Sequence, residues 1–318
     1  MPPSGLCTRA SELPWPGREA RITKGHAPDD VYEVACREFS DAELIALSTA
    51  VGVTRSGNDR IQPSTRNIMS TLKDRVVIVT GGSSGIGRAA ARRFAEAGAK
   101  VIITGRRAAA LEEAASDHPG ISAVVADAAA PQDAARTVAH AVEAYGRFDV
   151  LVNNAGAGAI LPLAEATADR VESIFAVNVV GASLLATAAL PHLAAAKGAI
   201  VNVSSTYGHK AAAGLSHYAA SKAALEHLTR CWALELAQQG VRVNAVAAGP
   251  TESGALTGMM GLSAEQAAAV EAQEREAIPL RRRGKPDDVA RWIVALADPA
   301  SEWVTGQVIA VDGGLGLA

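Results

Sequence analysis

The stretch Val76-Val77-Ile78-Val79-Thr80-Gly81-Gly82-Ser83-Ser84-Gly85-Ile86-Gly87 decides the fold. Val76 to Val79 are all β-branched, the composition of a strand buried on both faces, as in a parallel sheet. Glycines then end the strand. Gly81, Gly85 and Gly87 allow a tight turn and a close approach of backbone to a ligand. Arg88 to Ala97 reads as a helix. A strand, a glycine turn and a helix N-terminus together make an anion site, because unpaired N–H groups and the helix dipole converge there. Ser83, Ser84 and Ile86 lie within the turn, and a dinucleotide pyrophosphate is the expected occupant. The spacing is G-x-x-x-G-x-G, not the G-x-G-x-x-G of most dinucleotide folds.

Outward from this turn, strand and helix patterns alternate to the end of the chain. Strands are predicted at 75–80, 100–104, 121–126, 148–153, 198–204, 241–247 and 307–311. Helices are predicted near 85–97, 107–115, 131–145, 163–190, 215–238, 263–276 and 286–297. Such alternation implies an α/β, doubly wound parallel sheet with helices on both faces, and ligands at the carboxyl ends of the strands.

The second strand ends Val101-Ile102-Ile103-Thr104 and is followed by Gly105-Arg106-Arg107. An NAD site usually carries a carboxylate here for the ribose 2′-OH. Gly105 stands there instead, and the guanidinium of Arg106 suits a 2′-phosphate. This favours NADP(H) over NAD(H); the alternative is a solvent-facing arginine that opens the next helix. Tyr218 and Lys222 are four residues apart on a predicted helix, one turn apart on one face. A free Tyr has a pKa near 10, and a nearby ammonium favours the phenolate and brings proton transfer closer to neutral pH. Ser205 ends the strand Ile200-Val201-Asn202-Val203, shortly before Tyr218.

Taken together, these blocks resemble the short-chain dehydrogenase/reductase family over roughly residues 73–316. The matching segments are Thr80-Gly81-x-x-x-Gly85-Ile86-Gly87, Asn153-Asn154-Ala155-Gly156, Ser205, Tyr218-Ala219-Ala220-Ser221-Lys222 and Val311-Asp312-Gly313-Gly314. The resemblance implies a Rossmann-like seven-stranded sheet in the order 3-2-1-4-5-6-7. It implies that Ser205 bonds the substrate oxygen and that Tyr218 exchanges the hydroxyl proton. Lys222 then tunes Tyr218 and grips the nicotinamide ribose, and Asn178 holds a water that relays protons to Lys222. Asp127 would bond the adenine, though a turn-forming Asp reads equally well there. Asn154, Ala155 and Gly156 would line the cofactor groove. Ala247-Ala248-Gly249-Pro250-Thr251-Glu252-Ser253 is similar to the family's segment over the nicotinamide, with Ala248 for the usual Pro and Ser253 for a common Thr. Gly249 and Thr251 are the expected contacts. The resemblance also implies a homodimer or homotetramer through the two long helices, 163–190 and 215–238.

Gly254 to Ile278, with Met259-Met260-Gly261, reads as a lid whose methionines suit either an adaptable pocket or core packing. Arg281-Arg282-Arg283 reads as a solvated turn, and His209 and His217 as structural. The preferred function is an NADP(H)-dependent oxidoreductase interconverting a small-molecule carbonyl and a secondary alcohol. The alternatives are an NAD-dependent alcohol or polyol dehydrogenase and a catalytically silent NADP-binding sensor or scaffold.

Composition suits a chain with a sizeable core. Of 318 residues 49% are apolar, and the net charge of −3 gives no field favouring nucleic acid or anionic membrane. Three cysteines without a C-x-x-C pair point to a reducing, cytoplasmic setting. Ser173 to Ala196 lacks Asp, Glu, Lys and Arg, but Asn178, Gly181, Pro191 and His192 interrupt it, so a buried helix and then a turn are expected rather than a membrane span. Residues 1–70 read as an extension, and 71–318 as one NADP-binding catalytic domain. Met1 to Asp30 suggests disorder. Val31 to Phe39 suggests a short helix, and Ser40 with Glu43 a capping box opening another that stops at Gly52. Within 30–52 the chain resembles a fragment of carboxymuconolactone decarboxylase-like proteins, without a cysteine pair to bring redox chemistry. Met69 is a possible true start.

Overall fold

The structure, a computed structural model, describes residues 71–318. The expectations for residues 1–70, including the two helices and the 30–52 resemblance, lie outside the described residues.

Seven parallel strands form one sheet in the order β3-β2-β1-β4-β5-β6-β7. They are β1 (Val76–Thr80), β2 (Lys100–Gly105), β3 (Ile121–Val125), β4 (Val150–Asn153), β5 (Ala199–Ser205), β6 (Arg242–Ala248) and β7 (Val308–Val311). Every residue of β1, β4 and β5 is buried, as uninterrupted apolar runs require when helices cover both faces. One face carries α1 (Gly85–Glu96) and α9 (Pro286–Ala297), packed around Phe94, Val79 and Ile293. The other carries α3 (Pro131–Tyr145), α5 (Ala182–Ala196) and α6 (Ser216–Leu236), packed around Phe148, Ile78 and Leu193. The remaining helices are α2 (Ala108–Ala115), α4 (Ala168–Phe175), and α7 (Ala255–Gly258) and α8 (Ala264–Ala277) between β6 and β7. Chain order reverses between β1 and β4, where β1 pairs with both β2 and β4. At that point the carboxyl ends of the strands leave a crevice.

The expected helix 163–190 differs at both ends. Regular helix starts at Ala168, passes through a π-helical turn over Ala176–Gly181, and continues as α5 through Pro191 to Ala196. Pro191 removes one backbone donor but does not end the helix, because Leu185, Ala186, Ala189 and Leu193 hold that face against the sheet. Together Ala168–Ala196 is long and apolar enough to cross a membrane by length and composition. In this fold it flanks the sheet instead, and Asn178 sits in its π-helical turn. Such turns often mark functional positions.

Candidate active site

The cofactor end is built from main chain. Gly81 and Gly85 take positive φ, +65° and +53°, so the chain can reverse after β1. Thr80 is the hub: its Oγ1 accepts from the N–H groups of Asn154 and Ala155, both at 2.9 Å. Asn154 Nδ2 in turn donates to the carbonyls of Thr80 (2.8 Å) and Gly81 (3.2 Å). Asn154 therefore locks the end of β4 to the glycine turn. Gly87 passes so close that a Cβ there would stand 2.4 Å from Gly81 O and 2.5 Å from Asn154 Nδ2. Ser84 precedes α1 without a side-chain cap bond, and no acidic residue lies in the first turn. The first N–H groups of α1 thus have neither a side-chain cap nor a neighbouring carboxylate in the first turn, the arrangement an anion would suit.

At the end of β2, Arg106 is exposed. A Cβ at Gly105 would stand 3.7 Å from Ser83 Oγ and 3.6 Å from Leu111 Cδ2, ordinary contacts. Ser83, Gly105 and Arg106 thus share one corner beside the glycine turn. Asp127 makes the turn: its Oδ1 accepts from Ala129 N at 3.0 Å. It also borders a small cavity of about 20 Å³ with Thr80, Asn153 and Thr137, so it retains a place beside the groove.

The catalytic candidates converge at the ends of β4 and β5. Tyr218 and Lys222 lie on α6 with Lys222 Nζ 5.9 Å from the Tyr218 ring centre. Lys222 Nζ donates to Val203 O at 2.9 Å. Asn178 is buried, accepts at Oδ1 from Ala157 N (2.8 Å), and donates from Nδ2 to Ala157 O (2.8 Å) and Ser221 Oγ (2.9 Å). A Cβ at Gly156 would be 3.6 Å from Asn178 Oδ1 and 3.7 Å from Lys222 Nζ, so these two groups flank one narrow space. The Asn178 side chain is tied to the loop after Gly156, so a water held towards Lys222 has only its remaining Oδ1 lone pair or a main-chain carbonyl of the π-helical turn.

Electrostatics correct one expectation. Burial pushes the Tyr218 phenol up; the Ser205 hydroxyl beside it works the other way, and Tyr207 adds to the rise. Burial pulls Lys222 down to about 8, opposed by the carboxylate of Glu226. Desolvation thus sets the direction for both groups, because burial disfavours the phenolate and the ammonium alike.

The substrate side draws on distant segments. Gly158 packs so closely that a Cβ would stand 2.9 Å from Tyr218 Cδ2 and 3.0 Å from Met260 Cε. Met260 and the Tyr218 ring therefore both border the space at Gly158. Ser253 lies against the glycine turn, its Cβ 2.8 Å from where a Gly85 Cβ would be. Gly249 donates to Val311 O and abuts Asp312, where a Cβ would have only 2.5 Å. Thr251 bridges to Gly284.

The three arginines 281–283 are not one solvated turn. Arg281 Nη1 donates to Glu276 O at the end of α8, at 2.6 Å. Arg282 pairs with Asp288 at 2.6 Å. Arg283 is buried, 5% exposed, among two carboxylates and a carbonyl. The sequence assigns no role of their own to Thr80, which it shows only within the turn motif, or to Gly158 and Tyr207, which lie in loops that border the site. Thr80 had a signal, as the last strand residue before the turn. Gly158 and Tyr207 had none without the fold.

A model described as enoyl-(acyl carrier protein) reductase matches residues 81–316. The chain is 39% identical to an uncharacterized oxidoreductase of Mycobacterium tuberculosis over 253 residues, 78% of this chain and 94% of the relative. It is 38% identical to a 3-oxoacyl-[acyl-carrier-protein] reductase of Thermotoga maritima over 249 residues, 77% and 98% of the two chains. Its fold is similar to the crystal structure of 3-ketoacyl-(acyl-carrier-protein) reductase from Brucella melitensis complexed with NADH. That likeness has a TM-score of 0.72 at 32% identity, covering 77% of this chain and 99% of that one. The strand order, the glycine turn and these matches agree: the chain belongs to the short-chain dehydrogenase/reductase family of nicotinamide-dependent oxidoreductases.

Proposed function

We propose that the protein interconverts a ketone and a secondary alcohol with NADP(H), using Ser205, Tyr218, Lys222 and Asn178. The observation that carries this reading is the convergence of Tyr218, Ser205 and Lys222 beside the crevice into which the Gly81–Gly87 turn opens. The turn and the N-terminus of α1 hold the pyrophosphate, and Gly249 and Thr251 border the nicotinamide. Bound nicotinamide supplies or receives the hydride; the chain does the rest. Ser205 steadies charge developing on the substrate oxygen. The phenol Oη of Tyr218 gives its proton to that oxygen in reduction and takes it back in oxidation. A raised phenol pKa keeps the proton in place for reduction. Lys222 supplies the positive charge that favours phenolate once the proton has left, and Asn178 carries the refilling path. Ketoacyl-type relatives make 3-oxoacyl thioesters the first ketones to test, beside simple and cyclic ketones.

The preference for NADP(H) rests on Ser83, Gly105 and Arg106. The NADH-complexed relative supports an NAD-linked enzyme as the second reading. The deciding experiment measures kcat/KM with both cofactors, in wild type and in Gly105→Asp/Arg106→Ala. Gly105 has room for a side chain. A charge-assisted hydrogen bond contributes about 1.5–3 kcal/mol, so the preference should move toward NAD by about ten- to a hundredfold. A wild type that already prefers NAD, or a variant whose ratio stays put, refutes it.

We also propose a symmetric dimer or tetramer through α4–α5 and α6. Val180 and Leu234 are exposed there, and only 39% of the most apolar window of Ala168–Ala196 is buried. Residues 71–318 carry every group of this site, so residues 1–68 are proposed to be dispensable for turnover.

A further inference from the structure

Between β6 and β7 the chain leaves the crevice, forms α7 and α8, and returns through 278–285 to α9. The outgoing and returning segments run side by side: Gly284 N donates to Pro250 O and Glu252 N to Gly284 O, both at 2.9 Å. Arg283 sits where the three pieces meet. Its Nη1 donates to Glu271 Oε1 at 2.6 Å, and its Nη2 to Thr251 O at 3.0 Å. Its Nε lies 2.8 Å from Glu274 Oε2, near enough for an ion pair but outside hydrogen-bond alignment. Glu271 and Glu274 are three residues apart on α8 and share one face. Glu274 is 14% exposed, and burial raises its pKa against the pull of Arg283. Arg275 engages the other oxygen of Glu271 at 3.1 Å.

A guanidinium this buried is unusual, and its fixed fork suits it to hold two carboxylates and a carbonyl at once. What it joins is functional at both ends. Thr251 O belongs to the loop whose Ser253 rests on the glycine turn. Met260, between α7 and α8, packs at Gly158, where the Tyr218 ring packs too. Glu274 also acts on Tyr207, raising its phenol alongside burial, and Tyr207 N donates to Ser205 Oγ at 3.3 Å.

We infer that Arg283 is a positioning residue that clamps the lid helix α8 to the Thr251 loop, so that the lid and the loop over the nicotinamide close as one body. The inference rests on the proposed reading that a nicotinamide dinucleotide lies along the Gly81–Gly87 turn with its nicotinamide under that loop. The clamp touches nothing at the Ser83–Arg106 corner and meets the glycine turn only through Ser253 at Gly85, so its main effect falls on the nicotinamide half.

The test compares Arg283→Met, which keeps length and apolar volume, with wild type in two titrations followed by calorimetry. One uses the whole reduced cofactor, NADPH and NADH in turn. The other uses ADP-ribose and its 2′-phosphate, which lack the nicotinamide. The expected result is a Kd for the whole cofactor raised at least tenfold, with that for the fragment within twofold of wild type. A fold lesion would weaken both together. Glu271→Gln/Glu274→Gln, which leaves Arg283 in place without counter-charges, should show the same split at smaller size, and reads the clamp if Arg283→Met fails to fold. Equal weakening of cofactor and fragment, or no weakening of either, overturns the clamp. A wild type that binds neither compound overturns the underlying reading, and the clamp with it; the two failures are told apart by the wild-type titration.

Discussion

The two halves of the crevice are built differently. On the cofactor half, positions are set by backbone: Thr80, Asn154 and the glycines interlock β1, β4 and α1 through main-chain bonds and through contacts that exclude a Cβ. On the substrate half, positions are set by side chains from segments far apart in sequence: Met260 and Tyr218 at Gly158, Arg283 on Glu271 and Thr251. The first kind of construction tolerates almost no change in residue type. The second can vary residue by residue, which is how one fold accepts many substrates.

The largest effect is expected where the halves meet. Tyr218→Phe removes one hydroxyl, so cofactor affinity should survive while turnover falls at least about a hundredfold, the scale of lost general acid–base catalysis. Stopped-flow turnover with a cofactor titration checks both at once. Next comes Gly87→Ala. The added Cβ would meet backbone and the Asn154 amide, neither of which can retreat, so about 1–3 kcal/mol of stability should go, with cofactor affinity. Thermal unfolding with and without cofactor measures it. Gly158→Ala sharpens the contrast. Its Cβ meets the flexible end of Met260 as well as the Tyr218 ring, so the fold should hold and KM for the ketone should rise a few-fold. If Gly158→Ala proved more destabilising than Gly87→Ala, the division into rigid and adaptable halves would fail.

The smallest effect is a pH step. Lys222 stands at about 8 in the folded protein against 10.5 ordinarily. Below pH 8 it is charged in both folded and unfolded chains. Above it, the folded protein releases a proton that the unfolded chain keeps until about 10.5. Stability therefore gains from this group as pH rises across that window. Carbonyl reduction, which uses the charge, should decline as pH passes 8. A Lys222→Met variant should show a flat, low profile over the same range.

How much of this was legible in sequence follows the same division. The alternation of strands and helices could be read because buried parallel strands and glycine turns leave local signatures, whereas the strand order and the choice of Ser205, Tyr218, Lys222 and Asn178 leaned on the family resemblance. Local signals end where partners are remote. Arg283 looks like its neighbours Arg281 and Arg282 in sequence; only the packing of α8 against the Thr251 loop buries it. The passage of α5 through Pro191 was hidden for a similar reason, since tertiary packing overrides a local helix-breaking preference. The phenol pKa expectation failed because spacing shows a charge neighbour but not the desolvation of both partners.

One measurement bears most directly on the claim that this site moves a hydride from a nicotinamide to a carbonyl carbon. The protein is mixed with a 3-oxoacyl thioester or a cyclic ketone and NADPH carrying deuterium at nicotinamide C4, each hydrogen face in turn, and the alcohol is analysed by mass spectrometry. The account predicts one deuterium on the carbinol carbon from one face only, in wild type, and loss of product in Tyr218→Phe. No cofactor consumption over the ketone panel, or an alcohol without label from either face, would contradict it.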